Sequence, residues 1–206
     1  MVSGQVDLYL DVMNNMEKLI IEENRIYLKK EDCENCRDKT IMSDKVRLYE
    51  EKLAELVSAN KGSILEIGFG LGISATKIQS YDIEKHVIIE KREEIYKLAE
   101  EWAKDKNNVQ VIHGDWIDIL PIIGKKFDGI YNDADQDDHD KLKNFPSKCK
   151  CIANDGCLLF MTSWANEEFT RELPHHILEQ DEEGKKVFGE SETKIPYATY
   201  KNNQWT

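Results

Sequence analysis

The stretch Ser63-Ile-Leu-Glu-Ile-Gly-Phe-Gly-Leu-Gly72 constrains this chain more than any other. Ile64, Leu65 and Ile67 form the short apolar run that a strand buried on both faces requires. Gly68, Gly70 and Gly72 then turn the chain, and Ile73-Ser-Ala-Thr-Lys-Ile78 predicts the start of a helix. A strand, a glycine turn and a helix start make a nucleotide-binding element, because glycine lets backbone approach a ligand closely. His86-Val-Ile-Ile-Glu90 follows as a second strand ending in an acid, about 20 residues on, where doubly wound folds place the carboxylate that accepts ribose hydroxyls. Glu66 supplies a second acid beside the same pocket.

On either side of this element the pattern sorts into helices and strands. Residues 1–31 carry apolar residues near helical spacing and predict a helix; Glu31 to Thr40 reads as a charged loop. Asp44 to Ala59 predicts a second helix, closed by Asn60-Lys-Gly62. After the glycine turn, helix and strand alternate: helix 73–80, strand 86–90, helix 92–105, strand 109–113, a helix containing Pro121, strand 127–132. An acidic loop over 133–140, a short helix over 142–151, a turn at Asn154-Asp-Gly156 and strand 157–161 complete the series. Such alternation predicts a parallel sheet covered on both faces. In the tail, 166–173 predicts a helix, while Val187-Phe188 and Ile195 to Tyr200 predict two strands of an antiparallel edge. The expected architecture is therefore an α/β Rossmann-like sheet with helices on both faces, an antiparallel C-terminal edge and an N-terminal helical lid. The division falls between a lid over residues 1–60 and a cofactor domain over 61–206.

Composition narrows the partners. The chain has 206 residues and a net charge of −12, which argues against nucleic acid and suits a cationic substrate. No apolar run is long enough for a membrane span, and no signal-like block opens the chain. Five cysteines, an odd number, predict reduced thiols and a cytoplasmic setting. Cys33 and Cys36 have the spacing of half a zinc site, but Cys149, Cys151 and Cys157 supply no matching pair, so no metal is expected.

The ordered motifs over residues 45–165 resemble the class I S-adenosylmethionine-dependent methyltransferases, and more narrowly guanidinoacetate N-methyltransferase and its arginine-methylating relatives. Leu65-Glu-Ile-Gly-Phe-Gly70, with Ala75, Lys77 and Gln79, is similar to the first cofactor motif; His86 to Glu90 matches the ribose motif. Gly114-Asp-Trp116 resembles the adenine-proximal loop, and Phe127 to Asp133 and Thr162-Ser-Trp164 resemble substrate-side motifs. The resemblance implies S-adenosylmethionine as cofactor, held by Glu66, Gly68, Phe69, Gly70, Gly72, Glu90, Lys91, Gly114, Asp115, Trp116 and Asp133. In it, Asp115 and Trp116 flank the adenine, one by a hydrogen bond and one by ring contact. It implies Asp133 and Glu50 as the catalytic carboxylates, with Tyr49, Glu50, Asp133, Thr162, Ser163 and Trp164 lining the substrate. A carboxylate beside a guanidinium fixes it by charge-assisted hydrogen bonds and takes its proton.

The implied partner is a small-molecule or peptide guanidino or amine substrate, with a homodimer as a compatible assembly. Two other readings compete. Asp133-Ala-Asp135-Gln-Asp-Asp-His139 is also similar to the metal-dependent O-methyltransferases of the catechol type, although Phe160-Met-Thr-Ser163 lacks the acid those enzymes need on the next strand. The third reading is a non-catalytic protein that binds S-adenosylmethionine.

Overall fold

A computed structural model describes residues 17–30, 39–133, 142, 144–161 and 173–206. The chain divides into two compact units, Met1–Asp44 and Lys45–Thr206. This boundary precedes the expected one at 60/61 because the helix Arg47–Val57 (α1) belongs to the larger unit. Its Leu53, Ala54 and Val57 are fully buried in one cluster with Ile64, Tyr131 and Phe160 of the sheet. Burying two such aliphatic side chains contributes about 1.5–3 kcal/mol each.

The smaller unit corrects the expected N-terminal helix. Glu17–Glu22 (β1) and Arg25–Lys30 (β2) form an antiparallel hairpin in which Glu22 pairs with Arg25, and Lys39–Ser43 (β3) adds to β2. Residues Leu19, Ile20 and Ile21 are contiguous, a pattern equally suited to a strand, and the two-residue connection at Glu23-Asn24 closes the hairpin. The first part of the expected helix, together with Cys33 and Cys36, lies outside the described residues.

The larger unit is built on an eight-stranded sheet. Its parallel strands are Ser63–Ile67 (β4), Lys85–Glu90 (β5), Val109–His113 (β6), Phe127–Asn132 (β7) and Ala153–Met161 (β8), in spatial order β6-β5-β4-β7-β8. Helices Ile73–Ile78 (α2), Glu93–Ala103 (α3), Trp116–Ile119 (α4) and Phe145–Cys149 (α5) connect them. The chain runs outward from β4 to β6, then returns to lay β7 on the other side of β4. The gap between the C-terminal ends of β4 and β7 is thus a topological switch point, where open sheets bind ligands. Gly129 permits close packing at the far end, since a Cβ there would lie 2.3 Å from the Val57 carbonyl oxygen.

Among the described residues of the larger unit the predicted strands, helices and antiparallel edge are present, with two differences; the helix expected over 166–173, apart from Leu173, and the acidic loop expected over 133–140, apart from Asp133, lie outside them. The turn expected at Asn154-Asp-Gly156 is an irregularity inside β8: Phe127 pairs with Ala153, whereas Gly129 pairs with Leu158. Gly156 has φ of 84°, and Asn154 Nδ2 donates to Asp128 Oδ1 at 2.8 Å. The extra residues bulge out of the ladder and leave the strand continuous beyond it. At the edge, Val187-Phe188 is the end of a helix, Glu182–Phe188 (α6), rather than a strand. Asp181 caps α6 by accepting the Gly184 amide at 2.7 Å, and Gly189 ends it at φ 75°. The partners of Glu192–Lys201 (β10) are β8, His175–Glu179 (β9) and Gln204–Trp205 (β11), all antiparallel. Asn202 and Asn203, both at positive φ, make the tight turn before β11. No helix among the described residues is long and apolar enough to cross a membrane.

Candidate functional site

Two groups of side chains meet at the switch point. The first surrounds the glycine turn. Gly68, Gly70 and Gly72 all have positive φ, at 89°, 53° and 69°, so the sequence spacing reflects a backbone only glycine adopts without strain. A Cβ on Gly72 would also lie 2.6 Å from Cζ of Phe69, whose ring is buried against Trp102. The turn is tied to the neighbouring strand: the Gly68 amide donates to the Ile89 carbonyl at 2.9 Å, and the Phe69 amide to Glu90 Oε2 at 3.0 Å. Glu90 Oε1 accepts the Arg92 amide at 2.7 Å. Each carboxylate oxygen keeps lone-pair capacity for a further hydroxyl donor. The bare turn beside a fixed, mostly buried acid fits a ribose-bearing cofactor.

Other expected cofactor residues are placed differently. Glu66 is fully buried under the turn, where it accepts the Ser74 hydroxyl and has Oε2 2.8 Å from His86 Nε2. That close pair is not aligned as a hydrogen bond. Glu66 therefore braces β4, β5 and α2 against one another. Asp115 caps α4 by accepting the Ile117 amide at 3.0 Å and pairs with the exposed Lys91 at 2.9 Å. Gly114 hydrogen-bonds to the Glu90 carbonyl at 2.9 Å, which holds this loop beside the acid. Trp116 is buried in the core, with its ring edge-on to Phe145 at 5.0 Å. An indole that follows a strand end buries much of its area in the nearest core.

The second group lies on the face covered by α1. The Asp133 amide donates to the Ile67 carbonyl at 2.9 Å, which fixes this half-buried acid at the end of β7, beside β4. Tyr131, two residues earlier and hence on the same face, is fully buried and donates its hydroxyl to Oε2 of Glu50. Glu50 is 3% exposed. Burial first, then the negative charges of Asp133 and Glu66, push its carboxyl well above the usual range, against the lowering effect of the Tyr131 hydrogen bond. Burial and the charges of Glu50 and Asp133 likewise raise the Tyr49 phenol, and the same causes raise that of Tyr131. Tyr49 packs against Phe188 at 5.2 Å. The structure thus places Glu50, Asp133 and Tyr49 within electrostatic reach of one another. Thr162, Ser163 and Trp164 lie outside the described residues.

Sequence reasoning missed Tyr131, Ser74 and His86. Tyr131 was findable, because strand alternation places it on the face of Asp133. Ser74 and His86 become visible only once β5 is laid beside β4.

An acid surrounded by acids and phenols, with no cation of its own among the described residues that shift it, suits a cationic ligand. Comparison with known proteins identifies the family. The guanidinoacetate N-methyltransferase family matches residues 22–171, well over half of the chain. Protein arginine N-methyltransferase 2 of Yarrowia lipolytica is 37% identical over 86 residues, covering 40% of this chain but only 18% of that protein. Among solved structures, spermidine synthase from Thermotoga maritima superposes with a TM-score of 0.62 at 12% identity, over 90% of this chain and 73% of that one. The O-methyltransferase TomG from Streptomyces achromogenes, in complex with S-adenosylmethionine, gives 0.56 at 16% identity, over 75% of this chain and 80% of that one. These two likenesses concern the fold. With the family model matched over residues 22–171, most of this chain, the chain belongs to the guanidinoacetate N-methyltransferase family, within the class I S-adenosylmethionine-dependent methyltransferases.

Proposed function

We propose that the chain transfers a methyl group from S-adenosylmethionine to a nitrogen of a small guanidino or amine compound, or of an arginine-type side chain. The observation that carries this reading is the convergence of Glu50 and Asp133 at the switch point. Gly68, Phe69, Gly70, Gly72 and Glu90 hold the cofactor in this reading, with Gly114, Asp115 and Lys91 at its adenine end. When bound, the cofactor supplies an already activated methyl on a positively charged sulfur. The protein's work is then to orient the acceptor, exclude water and handle one proton.

Glu50 and Asp133 do this by charge. Burial and then the Asp133 charge disfavour the ionised form of Glu50, and a cationic acceptor between the two acids offsets both effects. Charge-assisted hydrogen bonds to the two carboxylates fix the nitrogen in line with the methyl carbon. The bound cofactor would supply the methyl to the acceptor's nitrogen lone pair, its sulfur taking the electrons of the S–C bond that breaks. The surplus N–H proton passes to one of the two carboxylates.

The test is a labelled-methyl transfer screen over guanidinoacetate, arginine, an arginine peptide, simple amines and a catechol, with and without chelator. Transfer to a guanidino or amine acceptor that survives chelation is expected. Transfer confined to the catechol, and abolished by chelator, would replace this reading with O-methylation. Tight cofactor binding with no transfer at all would leave a binding protein.

A further inference from the structure

The Tyr131 phenol is absent from every role set out above, yet it makes the longest-range hydrogen bond at the site. It bridges the central strand β7 to α1 across 81 residues of sequence, and both side chains are buried. Its neighbours on the sheet are Glu66 of β4 on one side and Phe160 of β8 on the other. Packing alone would be satisfied by a phenylalanine, as it is at position 160. A hydroxyl at this depth needs a partner, and that partner is Oε2 of Glu50.

We propose that Tyr131 is a positioning residue for the acceptor site: its hydroxyl holds Oε2 of Glu50, so that Oε1 is the oxygen offered to the acceptor's N–H. The inference rests on the reading of Glu50 as an acceptor-binding acid. One oxygen is occupied by a fixed donor on a rigid strand, and the side chain loses the rotation that would otherwise blur its aim. Glu50 then meets the acceptor through a single oxygen, while Asp133, held by its own amide on β4, supplies the second contact. The phenol has an electrostatic consequence too. The groups that face Glu50 are Asp133 beyond β7, Glu66 of β4 with its partner His86 of β5, Tyr49 of α1 and Tyr131 itself. Of these, Tyr131 is the one that stabilises the ionised carboxylate by direct donation.

The experiment follows the Glu50 side-chain carboxyl by its 13C shift in protein labelled at glutamate carboxyl carbons, the signal being assigned by its loss in Glu50→Gln. In Tyr131→Phe the titration midpoint is expected to move up by about one pH unit, since a hydrogen bond to an ion is removed. The affinity for S-adenosylhomocysteine should stay within about twofold, as Tyr131 lies on the acceptor side. In the unsubstituted protein the Tyr131 Cζ shift should step at the same midpoint as the carboxyl, a readout that does not depend on the variant folding. With an acceptor in hand, the acid limb of kcat/KM should move with the midpoint, while KM for the cofactor holds. An unmoved midpoint, or a Cζ signal that ignores the Glu50 titration, overturns the inference. Absence of transfer to every acceptor, with the midpoint moved, overturns the proposed function alone.

Discussion

The two halves of the switch point treat their acids in opposite ways. On the β4–β5 side, Glu90 receives two backbone amides, from Phe69 and Arg92. On the β7–α1 side, Glu50 is buried, feels the negative charges of Asp133 and Glu66, and has a phenol as its donor. Amide donors stabilise a carboxylate charge permanently, whatever else is bound. An acid facing acids is left with a charge it holds only at a cost, which a cation removes. In the proposed function the first half is thus a cradle for a neutral sugar, and the second a place completed by positive charge.

Breaking the second half should have the largest effect. Asp133→Asn keeps the size of the side chain and removes its charge, so methyl transfer should fall by about 10²–10⁴-fold. Calorimetry with S-adenosylhomocysteine should meanwhile show an affinity close to that of the unsubstituted protein. Equal loss of both would mean that the halves are not separate.

Breaking the first half should do the reverse. Glu90→Ala leaves the Phe69 and Arg92 amides without their acceptor, and the dissociation constant for S-adenosylhomocysteine should rise by about 10–100-fold. An unchanged constant would remove Glu90 from the cradle. Gly72→Ala tests the backbone of the same half. It forces a Cβ toward the Phe69 ring at positive φ, and should cost about 1–3 kcal/mol of stability in denaturant melts. A melt unchanged within error would show that the turn tolerates a side chain.

The smallest effect sharpens the contrast through pH. Glu50 has a folded pKa above its unfolded value, so its contribution to stability is complete below the unfolded pKa and is lost as pH rises toward the folded one. Glu50→Gln should flatten that decline, so the melting temperatures of variant and parent should diverge in the variant's favour as pH rises from about 4.5. Parallel curves would mean that Glu50 ionises as freely in the fold as in the unfolded chain.

Much of the first half is local in sequence, and it was legible for that reason. The glycine spacing encodes backbone angles within five residues, and the acid at Glu90 follows at the distance one helix and one strand impose. The second half joins residues far apart in the chain. Position 50 alone is an acid on an amphipathic helix, and nothing within α1 says that Tyr131 waits beneath it. Where local signals conflicted, tertiary context chose. The apolar residues at 19–21 fit either a helix or a strand, and pairing with β2 made them a strand. Val187-Phe188 suited a strand, but the cap at Asp181 and Gly189 ended them in a helix.

The sequence by itself determined the glycine turn, the strand–helix alternation and the acid at the end of β5, because backbone geometry and side-chain periodicity act over a few residues. The tertiary structure alone decided that Glu66 would accept the Ser74 hydroxyl beside His86, that Trp116 would pack edge-on to Phe145, and that Glu50 would lie buried with Tyr131 as its donor. Electrostatic environment is a property of what surrounds a group in space, and only the folded sheet assembles those surroundings.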